Sequence, residues 1–347
     1  MQIEIIINLV YPLMQIFKID EVLNFPYERL KLLFDTPVVI PTETVYGLAG
    51  VINNDNILSN IYQIKGRPSD NPLIVHISNL NMLKSLIKET ILPEYAVLIK
   101  KYWPGPLTLI FKANDNVSNI VKGNHMDTIA IRMPNNSKLL KLIDKLGIPL
   151  AAPSANTSGQ PSPTEINHVL NDLGNKVETY IDDGKCLYGL ESTILSIQNN
   201  KITILRPGII TKEEIEKCLQ KQVDLYTKIS NINYTIPGMK YTHYSPKIDV
   251  YLFIGKDYNI NMIKKAQHFK NKKIGIMGSN DIIVHGFKYE EIFYMGKTLK
   301  ECASNCFSGL RHFEKKVDLI FIKGFPCIDE GVALMDRLEK ASNEIIE

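Results

Sequence analysis

The sequence predicts an α/β protein of two domains, and three observations support this. Its 347 residues are about 2.3 times the roughly 150 of a typical domain. Short β-rich runs alternate with helical patterns from about residue 20 to 220, as in a mixed layered sheet. After a break in periodicity, a second and shorter α/β pattern occupies residues 248–347.

At the start, Met1–Phe17 is apolar but carries Glu4, lacks an early Lys or Arg and has no small-residue cleavage site, so it reads poorly as a signal peptide. It is also too short and interrupted to span a bilayer. Met14 offers an alternative start, and residues 1–13 read as an extension. Strands are predicted at Pro37–Ile40, Pro72–Ile77, Leu107–Lys112, Thr128–Arg132, Ser192–Ile197 and Ile202–Leu205, where apolar and β-branched residues are bounded by turn formers. Ser162-Pro163-Thr164-Glu165 predicts a helix opened by a capping box, and Thr211-Lys212-Glu213-Glu214 predicts another. Ser137–Leu146 places Leu139, Leu140, Leu142, Ile143 and Leu146 on a helical stripe closed by Gly147.

Residues 222–247 lose periodicity and gather Pro237, Gly238, Pro246 and several Tyr and His, the character of a linker. Its length and aromatic content suit a segment that lies over a ligand. Beyond it, strands are predicted at Ile248–Ile254, Lys273–Met277, Glu291–Tyr294 and Val317–Ile322, with helices near 259–270, 298–315 and 331–342. The domains therefore divide as 14–221, linker 222–247, and 248–347.

Apolar residues at 45% and charged residues at 22% exclude a wholly disordered, collagenous or coiled-coil chain. Forty Lys plus Arg against 37 Asp plus Glu leave a net charge of +3, too little for the basic stripe of a dedicated nucleic-acid binder. The five cysteines, Cys186, Cys218, Cys302, Cys306 and Cys327, form no C-x-x-C pair, which favours reduced thiols and a cytoplasmic location.

Four segments concentrate unusual chemistry near strand ends, where open α/β sheets hold ligands. Pro41-Thr42-Glu43-Thr44-Val45-Tyr46-Gly47 offers two hydroxyls and a carboxylate, or equally a turn using Thr for local backbone bonds. Lys65-Gly66-Arg67 through Asn71 and His76 pairs a point charge with a planar fork beside a glycine, an arrangement suited to a polyphosphate without a Walker loop. By itself His76 reads as a satisfied core histidine. Thr128–Arg132 ends in an arginine able to grip a carboxylate or simply to meet solvent. Leu150 to Gly159 places small residues before Ser154-x-Asn156, a pocket floor or a turn-rich loop. Glu191-Ser192-Thr193 enters a strand and Leu205-Arg206-Pro207-Gly208 leaves one.

Lys65-x-Arg67 with Ser154-x-Asn156, together with PTETVYGL, DNPLIVHI, WPGPLTLI, APSANTSG, ESTI and LRPG, strongly resembles the YrdC-like L-threonylcarbamoyladenylate synthases. The likeness continues through Pro237-Gly238-Met239-Lys240-Tyr241-x-His243-Tyr244-x-Pro246 and Gly331–Ser342, which implies the family's two-domain form. It implies a YrdC-like twisted open sheet with flanking helices, followed by a smaller Rossmann-like domain. The implied reaction condenses L-threonine, bicarbonate or CO2, and ATP into threonylcarbamoyl-AMP and pyrophosphate. A downstream transferase then modifies tRNA adenosine beside the anticodon.

By this resemblance Lys65, Arg67, Ser154 and Asn156 form the catalytic set. Arg67, Asn71, Thr128, Ser154, Ser162, Arg206 and Tyr244 contact ATP, while Thr44, His76, Arg132, Ala152 and Ser192 hold L-threonine. Mg²⁺ is expected to ride on the phosphates, since no carboxylate cluster has metal-ligand spacing. No residue stands out as a general base. The second domain is expected to gate the site through Tyr241, His243 and Tyr244.

In that domain, Ile274-Gly275-Ile276-Met277-Gly278-Ser279 reads as a turn rather than a nucleotide loop, and Cys302 and Cys306 as core thiols. Two departures from the family pattern are Ser245 before Pro246 and Asp336 before Arg337. The rival readings are an RNA-binding or regulatory YrdC-like module, with weak RNA binding left open, and a hydrogenase maturation factor, whose zinc-finger and acylphosphatase segments are missing here.

Overall fold

The structure is a computed structural model that describes residues 14–123, 126–226 and 244–347. Among these, one mixed sheet of eleven strands and one parallel sheet of five form the framework. The large sheet comprises, in chain order, β1 (Gln15–Lys18), β2 (Val38–Ile40), β3 (Gly47–Val51), β4 (Ile74–His76), β5 (Leu107–Lys112), β6 (Thr128–Arg132), β7 (Leu150–Ala151), β8 (Thr179–Asp182), β9 (Thr193–Gln198), β10 (Lys201–Arg206) and β11 (Asp224–Leu225). Side by side they run β1-β8-β2-β3-β7-β4-β6-β5-β9-β10-β11.

Several elements follow directly from local chemistry. The helix Ser137–Leu146 starts where the Asn136 side chain accepts from the Leu139 N–H at 2.9 Å, and it ends at Gly147 with φ 71°. Its stripe of Leu139, Leu142, Ile143 and Leu146 is buried against Ile19, Leu30 and Phe34 of the preceding helices and loop. The helix Lys212–Leu219 carries the predicted capping box between Thr211 and Glu214.

The capping box predicted at Ser162 does not form. The helix there is Ile166–Leu173, preceded by Glu165, and the Ser162 hydroxyl donates instead to Glu191 at 2.6 Å. A carboxylate brought from elsewhere in the chain outcompetes the local backbone for that hydroxyl.

The second sheet comprises β12 (Asp249–Phe253), β13 (Ile274–Gly278), β14 (Glu291–Tyr294), β15 (Leu319–Lys323) and β16 (Glu344–Ile346). Its order is β14-β13-β15-β12-β16 and every pairing is parallel, a Rossmann-like arrangement. The Gly275–Gly278 stretch, expected as a turn, lies inside β13. A Cβ on Gly275 would lie 2.6 Å from the Phe313 ring, so this glycine serves close packing. Cys302 and Cys306 are buried in the apolar core as expected.

The first residues of the predicted linker belong to the large sheet: Asp224 and Leu225 pair with Thr203 and Ile204 of β10. Tyr241 and His243 lie outside the described residues. A single buried cluster joins Val45, Leu190 and Ile209 of the first part to Tyr244, Cys306, Phe307 and Leu338. Among the described residues no helix is long and apolar enough to cross a membrane.

Candidate active site

A cavity of about 660 Å³, open mouth included, lies over one face of the large sheet. Ile74 and His76, two positions apart on β4, project to that face. In the parallel register His76 stands opposite Arg132 at the end of β6. Gly47 at the start of β3 bridges to Ser154, which brings the Thr42–Gly47 turn against the Ala152–Asn156 loop. Ser192 precedes β9 and Arg206 ends β10, so the neighbouring hairpin closes another side.

One end of the cavity is organised around Arg132. Its Nη1 donates to the Thr44 hydroxyl at 2.8 Å and its Nε to the Gly105 carbonyl at 3.2 Å. Its Nη2 lies 2.5 Å from Glu43 Oε1, a buried ion pair. The pair meets out of hydrogen-bonding alignment, leaving both Glu43 oxygens and Nη2 without a hydrogen-bond partner. Such groups call for a further polar partner.

His76 Nδ1 lies 3.1 Å from the Ile74 carbonyl. Burial, reinforced by Arg132, pulls its pKa down to about 3, so the ring is neutral near pH 7. Ser192 shares a hydrogen bond with Thr108 at 2.8 Å and Ala152 supplies a small apolar patch.

The other end carries Arg67 and Arg206. The half-buried Arg67 donates to the carbonyls of Asn71 (3.1 Å) and Pro72 (2.9 Å). Burial, with Arg206 nearby, lowers it to about 10. Arg206 donates to the Ser192 carbonyl at 2.9 Å and hydroxyl at 3.2 Å. These hydrogen bonds go to neutral oxygens, which leaves the guanidinium charges available to an anion. Ser154 donates to Asn156 Oδ1 at 2.5 Å, and the Asn156 amide in turn donates to the carbonyls of Thr157 and Gln160, both at 2.8 Å.

Lys65, predicted to face a phosphate, sits behind this loop instead. Its buried ammonium donates to the Ser154 carbonyl at 2.5 Å and to the Asn156 carbonyl. Burial pushes its pKa well down, with Arg67 acting in the same direction. Lys65 thus shapes the Ser154-x-Asn156 loop rather than lining the cavity.

Asn71 and Thr128 also lie off the cavity wall. Thr128 opens β6, roughly 13 Å along the strand from Arg132 at about 3.3 Å per residue. Thr44, Arg67, His76, Arg132, Ala152, Ser154, Asn156, Ser162, Ser192, Arg206 and Tyr244 all line the cavity.

Sequence reasoning named two carboxylates that matter here without finding their partners. Glu191 lines the cavity, accepts from Ser162 and pairs with Arg337 of the second domain at 3.1 Å. Although burial works to raise it, Arg337 and Arg206 hold its carboxyl below the usual range. Glu43 anchors Arg132 from behind. Both stood in recognisable strings, TETV and ESTI, but only the fold supplies their partners.

Gly208 sets the approach of the hairpin. A Cβ there would lie 2.3 Å from the Thr193 nitrogen and 2.6 Å from the Ser192 carbonyl carbon. Gly208→Ala is therefore expected to cost about 1–3 kcal/mol through overpacking and to displace Ser192. Thermal melting and ligand titration check this; an unchanged Tm with unchanged ligand affinity contradicts it.

Residues 32–208 match the Sua5, YciO and YrdC family model, described as "Telomere recombination". Residues 210–343 match the model described as "Threonylcarbamoyl-AMP synthase, C-terminal domain". The chain belongs to the Sua5/YrdC family. Threonylcarbamoyl-AMP synthase of Pyrococcus abyssi is 41% identical to this Sua5/YrdC protein, with 88% of this chain and 90% of the relative covered. The Bacillus subtilis enzyme of the same name is 39% identical, covering 88% and 89%. The crystal structure of P. abyssi Sua5 complexed with L-threonine aligns with a TM-score of 0.86 at 36% identity, covering 96% of this chain and 99% of that one. These relatives support a synthase and not a regulatory RNA-binding module.

Proposed function

We infer that this protein is a threonylcarbamoyl-AMP synthase. The observation that carries the reading is one cavity with Arg132 among small-molecule-sized hydrogen-bonding groups at one end and Arg67 with Arg206 at the other. A zwitterionic amino acid and a polyanionic nucleotide would thus meet in one shared, open-mouthed cavity.

Arg132 would take the threonine carboxylate, with Thr44, His76, Ala152 and Ser192 surrounding the rest of the substrate. A neutral His76 adds no repulsion towards the threonine amine. Arg67, Ser154, Ser162, Arg206 and Tyr244 would contact ATP. Asn71 and Thr128 would be reached by parts of the nucleotide extending beyond the cavity. Lys65 and Asn156 would hold the loop that places Ser154.

In the reaction, the neutral threonine amine bonds to carbon: with CO2 this gives the carbamate and releases one proton, and with bicarbonate the amine proton leaves with the displaced hydroxyl as water. A carbamate oxygen then attacks the α-phosphorus, and the bond to the β-phosphate oxygen breaks to release pyrophosphate. This step is a nucleotidyl transfer, driven by positioning and by guanidinium charge rather than by a dedicated base.

ATP enters as its Mg²⁺ complex. The buried carboxylates near the cavity each face a guanidinium, Glu43 that of Arg132 and Glu191 that of Arg337, and do not converge on one point, so the metal would travel with the phosphates. The product would serve a cytoplasmic transferase that modifies tRNA adenosine beside the anticodon.

The test is incubation with ATP, Mg²⁺, L-threonine and labelled bicarbonate, each omitted in turn. The expected result is pyrophosphate release that needs threonine and bicarbonate together, with label in a nucleotide product. Pyrophosphate release indifferent to threonine, or none at all, overturns the reading.

A further inference from the structure

The second domain places two buried arginines against the cavity's nucleotide side. Arg337, on the helix Glu330–Ala341, is 0% exposed and is the largest fully buried side chain among the described residues. Its Nε donates to Glu191 Oε2 at 3.1 Å and its Nη1 to Asp336 at 2.8 Å, while Nη2 has no hydrogen-bond partner. The guanidinium carbon lies 5.5 Å from the Tyr244 ring centroid. Glu191 in turn accepts from Ser162 at 2.6 Å. Tyr244 holds a left-handed backbone, φ 67°, and packs on Phe307 with centroids 5.2 Å apart. A non-glycine residue keeps that conformation only when its surroundings enforce it.

Arg311, on the helix Leu299–His312, acts on the neighbouring loop. It grips Asp172 as a fork, at 3.1 and 2.8 Å, and donates to the Pro161 carbonyl. Asp172 also accepts from the Thr157 backbone N–H at 3.2 Å. Arg311 thereby ties both ends of the stretch between Asn156 and Ser162.

We propose that Arg337 and Arg311 are positioning residues through which the second domain sets the nucleotide wall of the cavity. The inference rests on reading the cavity as an ATP and L-threonine site. Its physical content is directional. The groups reached, Ser162, Glu191, Tyr244 and the 157–161 stretch, belong to the nucleotide side, whereas His76 and Arg132 stand side by side on strands of the large sheet. Without Arg337, Glu191 would also present a carboxylate with less compensation to incoming phosphates, and Tyr244 would lose the cation beside its ring.

The experiment uses the full chain. Arg337→Met and Arg311→Met are compared with the parent by direct titration of ATP and of L-threonine, and by KM for each, with Tm recorded. The expected result is an ATP constant raised about tenfold or more, with the L-threonine dissociation constant unchanged within about twofold. Arg337→Lys keeps the charge but loses the fork, and should fall between parent and Arg337→Met. Where a methionine variant fails to fold, the lysine variant decides by the same split.

Both substrate constants moving together would reduce the arginines to general structural supports, and neither moving would remove them from the site altogether. Either outcome overturns the proposal. A parent chain lacking threonine-dependent pyrophosphate release defeats the synthase reading instead, while the ATP titrations still test the arginines.

Discussion

Replacing Arg132 by methionine is expected to abolish saturable L-threonine binding while leaving ATP binding largely intact. A charge-assisted fork to a carboxylate in a buried site contributes about 2–5 kcal/mol when one partner is removed, so threonine affinity should fall by about 30-fold to several thousandfold. The substitution has a second consequence: Glu43 is 5% exposed, and its ion pair with Arg132 is 2.5 Å long. Leaving that carboxylate alone would cost about 3–5 kcal/mol of stability.

The two effects separate in the double variant Arg132→Met, Glu43→Gln. Removing the stranded charge should recover much of the lost Tm, whereas threonine binding should stay absent. Threonine binding retained by either variant would show that the carboxylate is read elsewhere. Isothermal titration with L-threonine beside thermal melting gives both readouts on the same samples.

The parts of the fold legible in the sequence are those whose cause is local. Leu107–Lys112, Thr128–Arg132 and Glu291–Tyr294 are strands at their predicted limits, and Asn136 and Gly147 bound their helix where a cap and a left-handed glycine belong. β3 escaped because it starts on Gly47, directly after a segment that reads as a turn. β8 escaped because Thr-Tyr-Ile-Asp is short and ends on a charge; Asp182 is buried there because Lys18 and the Tyr46 hydroxyl meet it. The site shows the same division. Arg132 beside His76 follows from strand register, but the partners of Ser162, Glu191 and Arg337 come from segments 29 and 146 residues apart. The Ser162 pattern fits a capping box locally, and the distant Glu191 carboxylate overrides it.

Stability is expected to fall as the pH drops from 7.5 to 5, and His76 should account for much of the loss. Its pKa in the folded protein is about 3, because burial and then Arg132 oppose the charged ring, against 6.5 for the ordinary side chain. The folded value is the lower one, so between these pH values the unfolded chain binds a proton that the folded chain refuses. Unfolding therefore becomes easier as the pH falls through 6.5, and the penalty stops growing near pH 3. At pH 5 a single such histidine costs about 2 kcal/mol, from a ceiling of roughly 4–5 kcal/mol.

His168, lowered to about 4 by burial and Arg311, adds to the slope with the same sign. Denaturant melts of the parent and of His76→Gln at pH 7.5, 6.5, 5.8 and 5.0 test the assignment, since the glutamine variant should show a visibly flatter dependence. Equal slopes in the two proteins would mean that the ring accepts its proton without unfolding. The same neutral ring predicts that L-threonine affinity carries no inflection near pH 6.5, because His76 in the folded site is half-protonated only near pH 3.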